Sequence, residues 1–130
     1  MDEKSVLKLL KEKKEDALAL YSNFRVASLL RTNDGKTFLG VNIESSSYSL
    51  TICAERVALF KALSEGYRKF DRIYILSDAE EPCPPCGACR QVLMDFAPDI
   101  KIIMYSNNGK KKEATIEELL PMAFSKKMLK

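Results

Sequence analysis

The chain has 130 residues, of which 46% are hydrophobic and 30% are charged, and its formal net charge is +3. This length fits one domain of ordinary size, and the apolar fraction is enough for a sizeable core, so we expect a single domain over residues 1–130. The basic runs at 110–112 and 126–127 have no aromatic residues interleaved, which is typical of solvated faces and argues against a nucleic-acid partner.

The beginning of the chain mixes charged and apolar side chains, and it has no continuous apolar stretch of the length found in signal peptides or membrane spans. We therefore expect a cytoplasmic protein that does not contact a membrane. Four cysteines could form two disulfides, but without a secretory signal a Cys-x-x-Cys spacing is more typical of metal binding. The thiols are accordingly expected to be reduced.

The first predicted element is an amphipathic helix over 2–21, where apolar residues recur at helical spacing against lysines and glutamates. Residues 24–31 and 37–43 have the composition of strands, and the turn signal at 33–36 predicts a β-hairpin between them. The loop over 44–52 precedes the first cysteine, and we favour a substrate-binding role for it over that of a plain linker.

The middle of the chain continues with a second helix over 53–65 and a buried strand over 72–77. A loop over 78–85, stiffened by three prolines, leads to a third helix over 86–96 and to an apolar strand over 100–105. Because strands alternate with helices after an initial hairpin, we expect an α/β fold with a mixed sheet, built as a three-layer α/β/α sandwich.

The last predicted elements are short. A turn at 107–109 leads to an edge strand at 111–114, and a capping box over 115–118 opens a final helix that ends before Pro121.

Two short segments carry the chemistry of the chain: the first contains Cys53 and Glu55, and the second contains Cys86 and Cys89. The chain has no histidine, which excludes a nucleophile activated by an imidazole. Three thiolates can hold Zn²⁺ tetrahedrally and leave the fourth position for water, while Glu55 can carry protons. The pattern predicts a hydrolytic zinc site, and the alternative is a closed structural site with Cys83 as the fourth ligand.

These motifs resemble those of the zinc-dependent cytidine deaminases, most closely the small class with three cysteine ligands. Further blocks follow the order of that family over nearly the whole chain, at 21–26, 40–44, 48, 53–59, 85–92 and 118–124. The resemblance implies five strands, with both zinc-bearing helices on one face of the sheet. It also implies one zinc ion per subunit, a homotetramer with sites shared between subunits, and hydrolysis of cytidine and deoxycytidine to uridine and deoxyuridine in pyrimidine salvage.

The same resemblance implies the contacts to the nucleoside. Asn42 and Glu44 match residues that hydrogen-bond the ribose 3′-hydroxyl, and Phe24 matches an aromatic residue that lines the pocket. Backbone groups of Ala54 and Pro84 match contacts to the edge of the base.

Phe124 and Arg56 have expected roles other than lining the pocket of their own chain. Phe124 matches a residue that reaches into the site of a neighbouring subunit and stacks on the base. Because three thiolates around Zn²⁺ leave a formal charge of −1, we expect Arg56 to offset that charge by donating hydrogen bonds to the thiolates. Arg90 and Gln91 fit ordinary polar positions of a helix.

Two alternatives to a nucleoside deaminase follow from the same residues. A deaminase of a cytosine-containing antibiotic of the blasticidin S type shares the zinc motif, although Glu44 matches the sugar-binding carboxylate of the nucleoside enzymes. A non-catalytic, zinc-stabilised binding domain is the alternative outside enzymes. The chain departs from the common family pattern at Ser45, at 27–28 and at Pro84, and each departure could alter the shape of the pocket.

Overall fold

The computed structural model describes residues 1–129 of the chain. Its strands are β1 (Val26–Thr32), β2 (Thr37–Val41), β3 (Phe70–Ser77), β4 (Lys101–Tyr105) and β5 (Lys111–Thr115). Its helices are α1 (Glu3–Lys14), α2 (Ala54–Ser64), α3 (Gly87–Phe96) and α4 (Ile116–Leu119), with 3-10 turns at Tyr48–Leu50 and Lys126–Leu129. Over residues 1–129, no helix has the length and apolar character needed to cross a bilayer.

The strands form one mixed sheet in the order β2-β1-β3-β4-β5. Strands β3 and β4 run parallel, and the other neighbouring pairs are antiparallel. The hairpin β1–β2 therefore occupies one edge of the sheet and β5 the other. The predicted five-stranded mixed sheet is confirmed, whereas the order of its strands had no signal in the sequence.

Helices cover both faces of the sheet. In β3, Ile73 and Ile75 pack with α2 and α3, whereas Tyr74 and Leu76 pack with α1 on the opposite face. This alternation follows from the two-residue period of a strand, and it explains why β3 appears in the sequence as an uninterrupted apolar run. The predicted three-layer α/β/α sandwich is confirmed, with α2 and α3 on the same face.

The prediction of a first helix over 2–21 is wrong for residues 15–21. Helix α1 ends at Lys14, and the chain then turns towards the sheet. The Leu18 N–H donates to the Asn42 carbonyl, and the Glu44 N–H donates to the Leu18 carbonyl. Apolar spacing continues past Lys14 because Ala17 still packs on the core. Pairing of the backbone with the end of the hairpin therefore replaces the last turns of the predicted helix.

The first turn of α2 lies unusually close to the hairpin. Ser28 and Gly40 are cross-strand partners in β1 and β2, and the buried Ser28 hydroxyl donates to the Ala54 carbonyl at 2.8 Å. Gly40 lies against the same carbonyl, where a larger residue would not fit. The sheet thereby fixes the end of α2 that carries Cys53 and Glu55.

Candidate active site

Three thiols converge where α2 and α3 begin. Cys53 and Cys86 are the N-cap residues of α2 and α3, and Cys89 lies in the first turn of α3. The three Sγ atoms lie within 4.8 Å of one another, and those of Cys53 and Cys86 are 3.5 Å apart. Helix N-termini present free N–H groups and the positive end of the helix dipole, both of which stabilise thiolates.

The spacing of these thiols suits zinc. Tetrahedral Zn²⁺ with bonds of about 2.3 Å to sulfur separates its sulfur ligands by about 3.8 Å, which fits this cluster. Cys83 is not a member of the metal-ligand group found in residues 1–129. Its sulfur instead lies 3.6 Å from the Pro84 carbonyl oxygen. The donor set therefore fits a zinc site with three protein ligands and one open position.

Arg56 lies beside the thiols on the first turns of α2. Its Nη2 donates to the Cys53 sulfur at 3.5 Å, while its Nε is buried without a hydrogen-bond partner in the part of the chain that the structure describes. Hydrogen bonds from Cys89 and Arg56 lower the pKa of the Cys53 thiol to about 5, although burial opposes them. The hydrogen bond with Cys53 in turn raises the pKa of Arg56. A permanent positive charge therefore faces the cluster of thiols.

Glu55 lies beside the first ligand and is 5% exposed. Burial, and after it the negative charge of the Cys53 thiolate, raises the pKa of the Glu55 carboxyl to about 7. A carboxyl group with a pKa in this range can both accept and release a proton near neutral pH. Its position and ionisation suit a proton carrier next to a metal site.

A cavity of about 260 Å³ is lined by Glu55 and by two members of the thiol cluster, Cys53 and Cys86, whereas Cys89 is buried. Five of the six predicted substrate contacts line it: Phe24, Asn42, Glu44, Ala54 and Pro84. Thr51 and Ile52 also line it and belong to the loop over 44–52, for which a substrate-binding role was expected. The other lining residues include Ser22, Val26, Ile75, Ser77 and Cys83, which had no predicted substrate contact. The volume lies just below the range of about 300–1,000 Å³ that is usual for ligand pockets, so the cavity suits a small ligand.

Asn42 is fixed at the wall of the cavity by the start of β1. Its Oδ1 accepts from the Val26 N–H at 2.9 Å, and its Nδ2 donates to the Phe24 carbonyl at 2.8 Å. The side-chain oxygen thus takes the place of the Asn42 carbonyl, which accepts from the Leu18 N–H, while the Asn42 N–H still donates to the Val26 carbonyl at 3.3 Å. Strand β2 ends at Val41, two residues earlier than predicted. One Nδ2 hydrogen and one lone pair on Oδ1 remain for a ligand.

Glu44 is held at the same wall by the turn that follows α1. Its carboxylate accepts from the N–H groups of Tyr21 at 2.8 Å and Ser22 at 3.0 Å, and from the Ser22 hydroxyl. Hydrogen bonds from the Ser22 side chain and then from its backbone lower the pKa of Glu44. Asn23 supports this turn with a φ of 56°, a left-handed conformation that asparagine tolerates better than most residues. Sequence reasoning assigned no role to Ser22, whose polarity and place in the 21–26 block were the available signals.

Phe124 lies away from the cavity of its own chain. Its side chain is 58% exposed, and its carbonyl accepts from Nε2 of Gln91 at 2.8 Å. The structure therefore does not bring Phe124 together with the other predicted substrate contacts. A contact of Phe124 with substrate requires a second copy of the chain.

Comparisons with known proteins place this site in a family. Residues 1–106 match the family described as "Cytidine and deoxycytidylate deaminase zinc-binding region". A cytidine deaminase of Halalkalibacterium halodurans is 45% identical over 126 residues, which cover 96% of each chain. A crystal structure of cytidine deaminase from Burkholderia pseudomallei has 42% identity and a TM-score of 0.91, with 95% of this chain and 100% of that chain covered. A more distant relative is a blasticidin-S deaminase of Bacillus cereus, 33% identical over 130 residues, which cover 92% of each chain.

Proposed function

This chain belongs to the cytidine and deoxycytidylate deaminase family, and we propose that it hydrolyses cytidine and deoxycytidine to uridine and deoxyuridine with release of ammonia. The observation that carries this proposal is a small cavity lined by Glu55, Cys53 and Cys86, with the buried Cys89 sulfur within 4.8 Å of both other sulfur atoms. The polar groups of Asn42 and Glu44 at the other wall match a ligand with a reactive base at one end and hydroxyl groups at the other.

Cys53, Cys86 and Cys89 would hold Zn²⁺ in this site. When bound, the ion supplies a Lewis acid that makes water more acidic and more nucleophilic near neutral pH. Glu55 takes the first proton from the attacking water and delivers it to N3 of cytosine as the C4–O bond forms. Glu55 then takes the second proton from the hydroxyl group at C4 and delivers it to the amino group as the C4–N bond breaks. Water and cytidine are thereby converted to uridine and ammonia, and Glu55 returns to its starting state.

The sugar is recognised by Glu44 and Asn42 in this proposal. Three hydrogen bonds hold the Glu44 carboxylate in place, and its lowered pKa keeps it charged as an acceptor for the 3′-hydroxyl. The 3′-hydroxyl is common to ribose and deoxyribose, so this contact supports activity on both nucleosides. The antibiotic alternative lacks this support, because Glu44 matches the sugar-binding carboxylate of the nucleoside enzymes.

A homotetramer in which Phe124 enters a neighbouring site completes the proposal. Several large apolar side chains are exposed, among them Leu20, Tyr48, Leu50, Met122 and Phe124. Burial of exposed apolar side chains is favourable, so these residues are available for contacts between subunits. The unpaired thiols of the site require reducing surroundings, which supports a cytoplasmic location.

The test is an absorbance assay of the purified protein on cytidine, deoxycytidine and blasticidin S in parallel, with the zinc content measured on the same samples. We expect turnover of both nucleosides and little turnover of the antibiotic. Glu55→Gln should retain zinc and lose activity by at least about 10²-fold, because the amide can hydrogen-bond but cannot transfer protons. Glu65→Gln, at the exposed end of the same helix, is the matched control.

Two results would contradict the proposed function. Retention of zinc without ammonia release from any of the three compounds would identify a non-catalytic binding domain. Activity of Glu55→Gln within tenfold of wild type would assign the proton transfers to another group.

A further inference from the structure

Arg90 spans the start of α3, which carries two of the thiols. It directly follows Cys89, and its Nε donates to the carbonyl of Pro85 at 2.8 Å. Pro85 directly precedes Cys86. The guanidinium group therefore joins the two ends of the segment that carries Cys86 and Cys89.

The same guanidinium group reaches a second backbone segment. Its Nη1 donates to the carbonyl of Leu119 at 2.8 Å. Leu119 is the last residue of α4, and carbonyls at a helix end lack partners within the helix. Pro85 is itself buried, so its carbonyl has little access to water. Arg90 thus supplies hydrogen bonds that both carbonyls would otherwise lack.

Arg90 is half-buried and forms no ion pair with a carboxylate within residues 1–129. The only hydrogen-bond partners of its side chain in that part of the chain are the two carbonyls. The next residue, Gln91, holds the same C-terminal segment through the carbonyl of Phe124. Two diverging donors held in one plane fit this bridging position, because guanidinium fixes the directions of its N–H groups whereas lysine offers a single flexible ammonium group.

We propose that Arg90 is a positioning residue of the metal centre, which fixes the first turn of α3, with Cys86 and Cys89, by bridging the carbonyls of Pro85 and Leu119. Without the bridge, this turn keeps its thiols but samples a wider range of sulfur positions, so the ligand set binds zinc less tightly. This inference rests on the proposed function only in taking the three thiols as zinc ligands.

The test measures zinc release from the purified holoenzyme to a chromogenic chelator, in the absence of substrate. We expect Arg90→Lys and Arg90→Gln both to release zinc at least about tenfold faster than wild type, since loss of the groups that orient metal ligands usually costs about 10–100-fold in affinity or activity. Arg68→Lys is the matched control. Arg68 also donates to two carbonyls, those of Leu63 and Tyr67, each at 2.8 Å, but at the opposite end of α2.

A second readout is the absorption spectrum of the cobalt(II)-substituted protein, whose thiolate bands depend on the geometry of the ligands. We expect these bands to change in Arg90→Lys and to be unchanged in Arg68→Lys. Zinc release from Arg90→Lys at the wild-type rate would overturn the proposal. This holds even if Arg90→Gln releases zinc faster, because loss of the positive charge alone would then account for the effect. Equal acceleration in Arg68→Lys would also overturn it. Neither readout needs deaminase activity, so the proposed function is tested separately.

Discussion

The α-carbon of Gly40 lies so close to Ala54 that a β-carbon at position 40 would be 2.3 Å from the Ala54 carbonyl oxygen. The same β-carbon would be 2.6 Å from the backbone nitrogen of Ala58. Both neighbours are backbone atoms of α2, so neither can move aside without displacing the helix. Because Cys53 and Glu55 flank Ala54, the close packing of β2 on α2 sets the position of a ligand and of the proton carrier.

We therefore expect Gly40→Ala to destabilise the protein by about 1–3 kcal/mol, the usual cost of overpacking a well-packed interior. It should also lower kcat, because the first turn of α2 must shift. Thermal unfolding and steady-state kinetics measure the two effects. Gly87→Ala is the control, since a β-carbon at that position meets no atom within 4 Å. A Gly40→Ala protein with wild-type stability and kcat would contradict this account of the packing.

The role of the fourth cysteine can be tested by comparing two serine variants. Cys83 lines the cavity but lies outside the cluster of three thiols, so Cys83→Ser should keep about one zinc ion per chain and nearly full activity. Cys86→Ser should lose most of its zinc, because it removes a member of the cluster. Metal analysis of the purified variants decides the outcome. Loss of zinc from Cys83→Ser would mean that the open three-cysteine site is wrong.

Local patterns predicted most of the site. The spacing of Cys86 and Cys89, and of Cys53 and Glu55, predicted one metal cluster, and the structure brings the three thiols together. The capping box at the start of α4 is also present. These features could be predicted because their partners are near in sequence, or because a helix N-terminus alone defines the position of the side chain.

The features that sequence reasoning missed depend on partners that are distant in sequence. Arg90 fitted an ordinary helix position, because its partner Leu119 lies 29 residues away. Ser22 was unassigned because its partner Glu44 lies 22 residues away, across the end of the hairpin. The end of α1 was misplaced for the same reason: the apolar spacing continues, and only pairing with the hairpin shows where the helix stops.

Phe124 provides a test of shared sites. If it stacks on a base in a neighbouring subunit, Phe124→Ala should raise KM more than it lowers kcat, since stacking on a base is worth about 1–3 kcal/mol. Phe96→Ala, which removes another exposed aromatic side chain, is the control.

A mixing experiment distinguishes action within one chain from action between chains. Phe124→Ala subunits have intact pockets, and inactive Glu55→Gln subunits have an intact Phe124. Hybrids reassembled from both should regain part of the wild-type KM, because the second subunit lends its Phe124 to the pocket of the first. Hybrids that keep the high KM of Phe124→Ala would refute a contribution from the neighbour.

Arg56 is the group best placed to offset the charge of the metal site. Three thiolates and Zn²⁺ sum to −1, and Nη2 of Arg56 already donates to the Cys53 sulfur. Arg56→Gln should therefore retain zinc and lower kcat, because a neutral amide withdraws less charge from the ligands than a guanidinium group.

The companion variant Cys53→His/Arg56→Gln removes the surplus charge instead of balancing it, since a neutral imidazole replaces a thiolate. We expect it to recover part of the lost kcat. Two results would show that charge compensation by Arg56 does not account for the activity of the site. One is a wild-type kcat in Arg56→Gln, and the other is a kcat in Cys53→His/Arg56→Gln no higher than in Arg56→Gln.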